Sequence, residues 1–140
     1  CAGLLLSGAP EIRLSNRNME RAEALAAIFG VAIQPLPWRE RHAALQDAAL
    51  LVNTTSLGMT GQPGLKLDLS LLPESAVVND LVYSPLTTSL LAAAQERGNI
   101  VINGLGMLLH QARPGFAAWF GVEPEVTAEL RTFVVGDLVG

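Results

Sequence analysis

The chain has 140 residues, half of them hydrophobic, and nine basic against thirteen acidic residues give it a formal net charge of −4. This length and apolar content fit one domain with a substantial core and exclude a disordered chain. The scattered basic residues argue against a nucleic-acid partner, and the short apolar runs argue against a membrane span, which needs roughly 20 apolar residues.

Cys1 is the only cysteine and cannot form an internal disulfide, which favours a reducing, cytoplasmic location. A lipid-modified N-terminal cysteine is the alternative, but a polar tether normally follows such a residue, whereas residues 4–6 are all leucine. No cysteine and histidine residues have the spacing of zinc ligands, because His42 and His110 lie far apart. We therefore expect a cytoplasmic protein without a metal site.

Five short runs have the length and composition of β-strands, and each has turn residues nearby. They lie at residues 11–14, 31–33, 50–53, 77–80 and 100–103. Their spacing leaves room for a crossover connection between each pair of strands. This pattern indicates alternating strands and helices.

Helical periodicity is clearest between the first two strands, over residues 19–29. Asn18 can cap the start of this helix, and Gly30 can end it. The apolar face of the helix holds Ala22, Leu25, Ala26 and Phe29. A second helix is predicted over residues 88–97, and Gly98 ends it.

After the last strand, one apolar stripe continues from Leu105 to Trp119 through Pro114, where we expect a kink in a continuing helix. A last helix is predicted from about residue 123 to residue 135, with Pro124 in its first turn. Alternating strands and helices predict the α/β class, with a doubly wound, mostly parallel, Rossmann-like sheet. Ligands of such sheets bind at the carboxyl ends of the strands.

Asn16, Arg17 and Asn18 follow the first strand, and Arg21 comes four residues after Arg17. In dinucleotide-binding folds an acid at this place binds the 2′-hydroxyl of the adenosine ribose, whereas arginines accept a 2′-phosphate. Both arginines can lean toward one anion near a helix N-terminus. The alternative is that Asn18 only caps the helix while the arginines are solvated or pair with nearby glutamates. The residues alone leave both interpretations open.

Three further strand ends carry polar or glycine-rich segments. Residues 53–59 have the sequence Asn-Thr-Thr-Ser-Leu-Gly-Met, Tyr83 follows the fourth strand, and Gly104 and Gly106 open the helix after the fifth. Gln111 lies one turn beyond Met107 on the same flank of that helix. Each segment alone is typical of an ordinary turn, and the glycine pair lacks the last glycine of the G-x-G-x-x-G fingerprint.

Taken together, in this order and on this frame, the segments resemble the shikimate dehydrogenase family over nearly the whole chain. Residues 16–18 are similar to that family's Asn-Arg-Thr, with Asn18 in place of Thr, and residues 53–59 are similar to its Asn-x-Thr-Ser-x-Gly-Met. The similarity continues at Asp80 to Tyr83, Pro85, Thr88, Leu90, Leu91, Gly104, Met107, Leu108 and Gln111. The resemblance implies an NADP-dependent oxidoreductase that reduces 3-dehydroshikimate to shikimate in aromatic amino-acid (chorismate) biosynthesis.

The resemblance also implies a role for each candidate residue. Cofactor contacts fall on Asn16, Arg17, Asn18, Arg21, Thr54, Ser56, Leu81 and Gly104, and substrate contacts fall on Tyr83 and Gln111. The family's Gly-Ala-Gly-Gly loop and first strand would precede Cys1, and its catalytic lysine and aspartate belong to a separate substrate domain. Lys66, the only lysine, has no matching context. No catalytic residue is therefore assigned.

We accordingly predict one partial NADP-binding, Rossmann-like domain over residues 1–140, with a C-terminal helix from about residue 123 and no activity of its own. The first strand and the Gly-rich loop of the fold are absent from this chain. Small-molecule substrates are the expected partners, and oligomer formation stays open. The alternatives are a quinate or shikimate dehydrogenase relative that uses NAD, and a nucleotide-binding module without catalysis.

Overall fold

The computed structural model describes residues 1–139, which fall into two compact units. Unit 1 consists of Cys1–Ala48 and Leu67–Pro73. Unit 2 consists of Ala49–Lys66 and the chain from Glu74 onward. Among the described residues, no helix combines the length and the apolar character needed to cross a membrane.

Unit 1 is built on two parallel strands and a helix. Its elements are α1 (Ala2–Leu6), β1 (Ile12–Asn16), α2 (Met19–Phe29) and β2 (Ile33–Pro37), followed by short 3₁₀ helices at Trp38–Glu40 and Ala43–Leu45. The bounds predicted for α2 are confirmed, with Ala22 buried on its packed face and Gly30 ending it at a φ of 83°. β1 runs to Asn16, two residues past its predicted end, so that Asn16 closes the strand.

β2 differs from its prediction, because it begins at Ile33 and contains two prolines. Val31, predicted to start the strand, precedes it and is 99% exposed. The backbone N–H of Ile12 donates to the carbonyl of Ala32, so the even-numbered residues of β2 direct their backbone groups toward β1. Pro35 and Pro37 therefore lie at positions where the backbone does not have to donate a hydrogen bond to β1.

Unit 2 is built on three parallel strands in the order β3-β4-β5. Its elements are β3 (Leu50–Asn53), β4 (Val77–Asp80), α3 (Ser89–Glu96), β5 (Ile100–Ile102), α4 (Leu105–Phe120) and α5 (Ala128–Val139). The predicted bounds of β3 and β4 are confirmed, and β5 ends one residue before its predicted end. The core of this unit includes Val78, Leu90, Leu91, Ala94 and Leu105, all buried.

All strand pairs are parallel, which confirms the predicted α/β class. The strands form two separate sheets, β1-β2 and β3-β4-β5, so β1 and β3 are both edge strands among the described residues.

α4 passes through Pro114 without ending, as predicted, but the stripe predicted for it is buried only in the first half of the helix. Leu105 and Leu109 are buried, whereas Phe116 is 41% and Trp119 is 81% exposed. The apolar periodicity therefore predicted the helix correctly and overstated the extent of its buried face.

The last helix starts at Ala128 and not near residue 123. Thr127 accounts for this start, because its Oγ1 accepts a hydrogen bond from the backbone N–H of Leu130 at 3.1 Å. The residues before it are held in another way. Arg113 forms an ion pair with Glu123 at 2.8 Å and donates from Nε to the carbonyl of Pro124 at 2.9 Å.

Candidate functional site

The turn between β1 and α2 carries the predicted anion-binding residues of unit 1. The backbone N–H of Asn18 donates to Oδ1 of Asn16 at 2.9 Å, which fixes the turn. Asn18 occupies the cap position of α2 with an extended backbone, but its side chain makes no capping hydrogen bond. The expected side-chain cap is therefore not formed, and the first-turn amides of α2 point toward the place that an anion would occupy.

Arg17 and Arg21 lie on this turn and on the first turn of α2, and both are exposed. Within residues 1–139 neither forms an ion pair, so the alternative in which they pair with Glu20 or Glu23 is not observed. Two guanidinium groups and a helix N-terminus place positive potential at one turn that has no acid on the strand end. This arrangement suits a phosphate group.

Unit 2 contains a cavity of about 280 Å³ that follows the carboxyl ends of β3 and β4. Its lining consists of Thr54, Thr55, Ser56, Met59, Leu81, Val82, Tyr83 and Met107. Four of the predicted contact residues, Thr54, Ser56, Leu81 and Tyr83, are thus brought together. Gln111 is exposed on α4 and is not part of this lining. Hydroxyl groups beside methionine and leucine side chains suit a flat ring with polar substituents.

Gly104 lies where α4 begins and packs against the segment after β4. Its backbone N–H donates to the carbonyl of Val82 at 3.1 Å, and its own carbonyl accepts from Leu108 at 3.0 Å. A Cβ at this position would lie 2.2 Å from the carbonyl oxygen of Leu81. Both backbone groups of Gly104 are used within the chain, so a cofactor contact there would depend on van der Waals approach.

A buried carboxylate joins the segments around this cavity. Asp80 is 0% exposed and accepts three hydrogen bonds, from Asn53 Nδ2 at 2.9 Å, from the backbone N–H of Val82 at 3.0 Å and from Thr88 Oγ1 at 2.7 Å. Thr88 also caps α3 by accepting from the backbone N–H of Leu91. Sequence reasoning assigned no role to Asp80 or Thr88. The available signal was an acidic residue at the end of an apolar strand, a group that needs partners when it is buried.

Asn53 extends this network into the loop after β3. Its Oδ1 accepts from the backbone N–H of Thr55 at 3.0 Å and from Thr55 Oγ1 at 2.8 Å. Its Nδ2 donates to the carbonyl of Leu57 at 3.1 Å in addition to Asp80. The polar atoms of Asn53 are therefore engaged within the chain, and this side chain shapes the cavity.

A more polar cavity of about 460 Å³ lies in unit 1, away from the predicted site residues. Arg13 is the cation in its lining, and this side chain is already bound to the carboxylate of Glu11 and to the carbonyls of Ala44 and Gln46. Across residues 1–139, no group of three His, Cys, Asp or Glu residues could hold a metal ion.

The chain has parallel strands connected by helices, an arginine-bearing turn after one strand and a hydroxyl-lined cavity after two others. These features are typical of the class of Rossmann-like dinucleotide-binding proteins. No family model matches the chain. The shikimate dehydrogenase (NADP(+)) of Paramagnetospirillum magneticum is 58% identical to it over 134 residues, which are 96% of this chain and 49% of that protein. The chain is therefore similar to shikimate dehydrogenases over 96–97% of its own length, and it spans about half the length of the curated relatives it matches.

Two solved structures show the same fold. The quinate dehydrogenase from Corynebacterium glutamicum in complex with NAD is 31% identical, with a TM-score of 0.84 over 95% of this chain and 49% of that one. The shikimate 5-dehydrogenase from Thermus thermophilus in complex with NADP(H) and shikimate is 36% identical, with a TM-score of 0.72 over 87% of this chain and 44% of that one. The predicted Rossmann-like fold is confirmed by these similarities.

Proposed function

We propose that this chain is the NADP-binding part of a shikimate dehydrogenase, a cytoplasmic enzyme that reduces 3-dehydroshikimate to shikimate with NADPH in chorismate biosynthesis. The observation that carries the proposal is an identity of 58–60% to relatives named shikimate dehydrogenase (NADP(+)), over 96–97% of the chain. The aligned span covers 96–97% of the chain and therefore includes the β1–α2 turn and the segments that line the cavity of unit 2. Small molecules are the proposed partners.

The choice of NADP over NAD follows from the β1–α2 turn. Arg17 and Arg21 offer charge-assisted hydrogen bonds to a 2′-phosphate, and the end of β1 carries Asn16 where an NAD-binding strand would carry an acid. Asn16 and Asn18 complete this end of the proposed site. The residues present therefore fit the phosphorylated cofactor better than the unphosphorylated one.

The remaining roles are assigned to unit 2. Thr54, Ser56, Leu81 and Gly104 are proposed to contact the cofactor, and Tyr83 and Gln111 are proposed to contact the substrate. When bound, NADPH supplies the hydride, and the protein must orient it and provide a proton to the developing alkoxide. The residues of this chain orient the ligands. We assign the proton transfer to residues outside this chain.

The test is an assay of the full-length protein, with NADPH and NADH each offered with 3-dehydroshikimate, and with NADP and NAD each offered with shikimate or quinate. We expect a higher kcat/KM for the phosphorylated cofactor and for the shikimate-type ring. A preference for NAD with quinate would instead support the alternative that the NAD-bound quinate dehydrogenase structure favours. Cofactor binding without turnover of either ring would support a non-catalytic module.

A further inference from the structure

The cavity of unit 2 depends on a side chain that does not line it. Asp80 is fully buried, and its Oδ1 binds both Asn53 Nδ2 and the backbone N–H of Val82. Asn53 in turn organises the loop that contributes Thr54 to Ser56 to the lining, and Val82 belongs to the lining itself. One carboxylate oxygen therefore fixes two walls of the cavity with respect to each other.

The second carboxylate oxygen ties the same point to a helix. Asp80 Oδ2 accepts from Thr88 Oγ1 at 2.7 Å, and Thr88 caps α3, whose residues Leu90 and Leu91 are buried in the core. The helix thus holds the carboxylate in one orientation, and the carboxylate holds the loops. α4 adds a third wall through Met107, and Gly104 lets the start of this helix approach the carbonyl of Leu81 closely.

A carboxylate at this position cannot be replaced by a neutral amide without loss. Asp80 receives hydrogen bonds from three neutral donors, and it offers acceptors on both oxygens. An asparagine would have one acceptor oxygen. With its amide N–H on the side of Asn53 and Val82 it would face two donors, and on the side of Thr88 it would require the hydroxyl to accept where it now donates. The bonds that remained would also be weaker, because bonds to an ionised acceptor are roughly twice as strong as neutral ones.

We propose that Asp80 is the positioning residue of the candidate site, which sets the separation of the walls that receive the nicotinamide end of the cofactor and the substrate. The proposal rests on the proposed function for its ligands and on the hydrogen-bond network for its mechanism. Asp80 acts through Asn53, Val82 and Thr88 and touches no ligand itself. Its effect should therefore appear in turnover beyond what a loss of stability explains.

The first test compares Asp80→Asn with Val78→Ala in the full-length protein. Val78 is buried in the same strand and supplies only packing, so its variant controls for a general loss of stability. We expect Asp80→Asn to lower kcat roughly 10- to 100-fold at a temperature where both variants are folded, since small misplacements of reactants have effects of that size. Val78→Ala should lower Tm and leave kcat within about twofold. Equal kcat in the two variants would overturn the proposal.

The second test uses Thr88, where packing and hydrogen bonding can be separated. Thr88→Val keeps the shape of the side chain and lacks the hydroxyl, whereas Thr88→Ser keeps the hydroxyl and lacks the methyl group. We expect Thr88→Val to lower kcat roughly 10-fold, the size of effect that a lost hydrogen bond to a charged group produces. Thr88→Ser should keep kcat near the wild-type value. The reverse order would show that only packing matters at this residue.

Amide hydrogen exchange gives a measurement that does not need activity. In Asp80→Asn, the amides of residues 54–59 and 81–84 should exchange roughly 10-fold faster than in the wild-type protein. The amides of α3 and α4 should keep their wild-type protection. If the wild-type protein reduces no 3-dehydroshikimate, the proposed function fails and this measurement still decides the positioning role. Unchanged exchange in both loops would contradict that role whatever the activity.

Discussion

Gly104→Ala is the substitution for which the structure makes the sharpest prediction. The added Cβ would lie 2.2 Å from the carbonyl oxygen of Leu81, 2.5 Å from its carbonyl carbon and 2.7 Å from that of Val82. These are backbone atoms, so no side-chain rotation can relieve the contact. The main chain would have to move by about 0.8 Å merely to bring the oxygen to 3.0 Å, a separation below which real Cβ contacts are hardly ever seen.

The expected cost follows from two opposing terms. Gly104 has a φ of −75°, which alanine adopts easily, so the smaller entropy of the unfolded chain would stabilise the variant by about 0.4–1 kcal/mol. Overpacking of this severity costs about 1–3 kcal/mol or more. The steric cost therefore outweighs the entropic gain, and Gly104→Ala should be less stable than the wild-type protein. The displaced Leu81 and Val82 also line the cavity, so NADPH affinity should fall together with stability.

Gly106 provides the matched control, since it lies in the first turn of the same helix and an added Cβ there would meet no atom within 4 Å. Gly106→Ala should leave stability unchanged or raise it by up to about 1 kcal/mol. Because the entropic gain is common to both variants, we expect their free energies of unfolding in the full-length protein to differ by the clash alone, about 1–3 kcal/mol or more, in urea titrations followed by circular dichroism. Equal stability of Gly104→Ala and Gly106→Ala would refute the clash expected at Gly104.

The remaining predictions concern the proposed ligands. Replacing Arg17 and Arg21 together by Ala should remove most of the preference for NADPH, at roughly 1.5–3 kcal/mol per lost charged hydrogen bond, whereas Arg39→Ala should not change the ratio of kcat/KM values with NADPH and NADH. An unchanged ratio in the double variant would reject the 2′-phosphate site. Tyr83→Phe and Gln111→Ala should raise the KM of the ring substrate more than the Kd of NADPH, and the opposite pattern would exchange their roles. Residues 1–140 expressed alone should show no dehydrogenase turnover and should bind NADP much more weakly than the full-length protein in calorimetry. Turnover near the full-length rate would place the proton donor within this chain.

Several elements could be predicted closely because their ends are marked in the sequence itself. β3 and β4 are short apolar runs that end in Asn53 and Asp80, and α2 has a clear apolar face and a terminal glycine. The differences arose where one side chain or one backbone direction decides the boundary. Thr127 moved the start of α5, and the outward position of Pro35 let β2 continue through residues that usually end a strand.

The candidate site was predictable to the level of its segments and not to the level of its contacts. Residue pattern and family resemblance identified the segments after β1, β3 and β4, whose side chains reach the surface or the cavity. The network of Asp80, Asn53 and Thr88 could not be inferred, because it brings together side chains separated in sequence by 27 residues in one case and by eight in the other. This network forms because its side chains are buried together, and the local periodicity of the sequence does not predict such burial. The half-buried α4 has the same origin, since an apolar stripe predicts a face and not what covers it.

Each unit contains one tryptophan, so intrinsic fluorescence can report on the two units. Trp119 is 81% exposed on α4, so its indole emission should lie at the long wavelengths of a water-exposed indole and shift when anything covers that face. Trp38 is only partly exposed in unit 1. The guanidinium carbon of Arg41 lies 4.5 Å from the centroid of the Trp38 ring and should influence the emission of that indole. Trp38→Phe and Trp119→Phe would therefore yield two single-tryptophan proteins, in which the unfolding of each unit is followed separately without any added label.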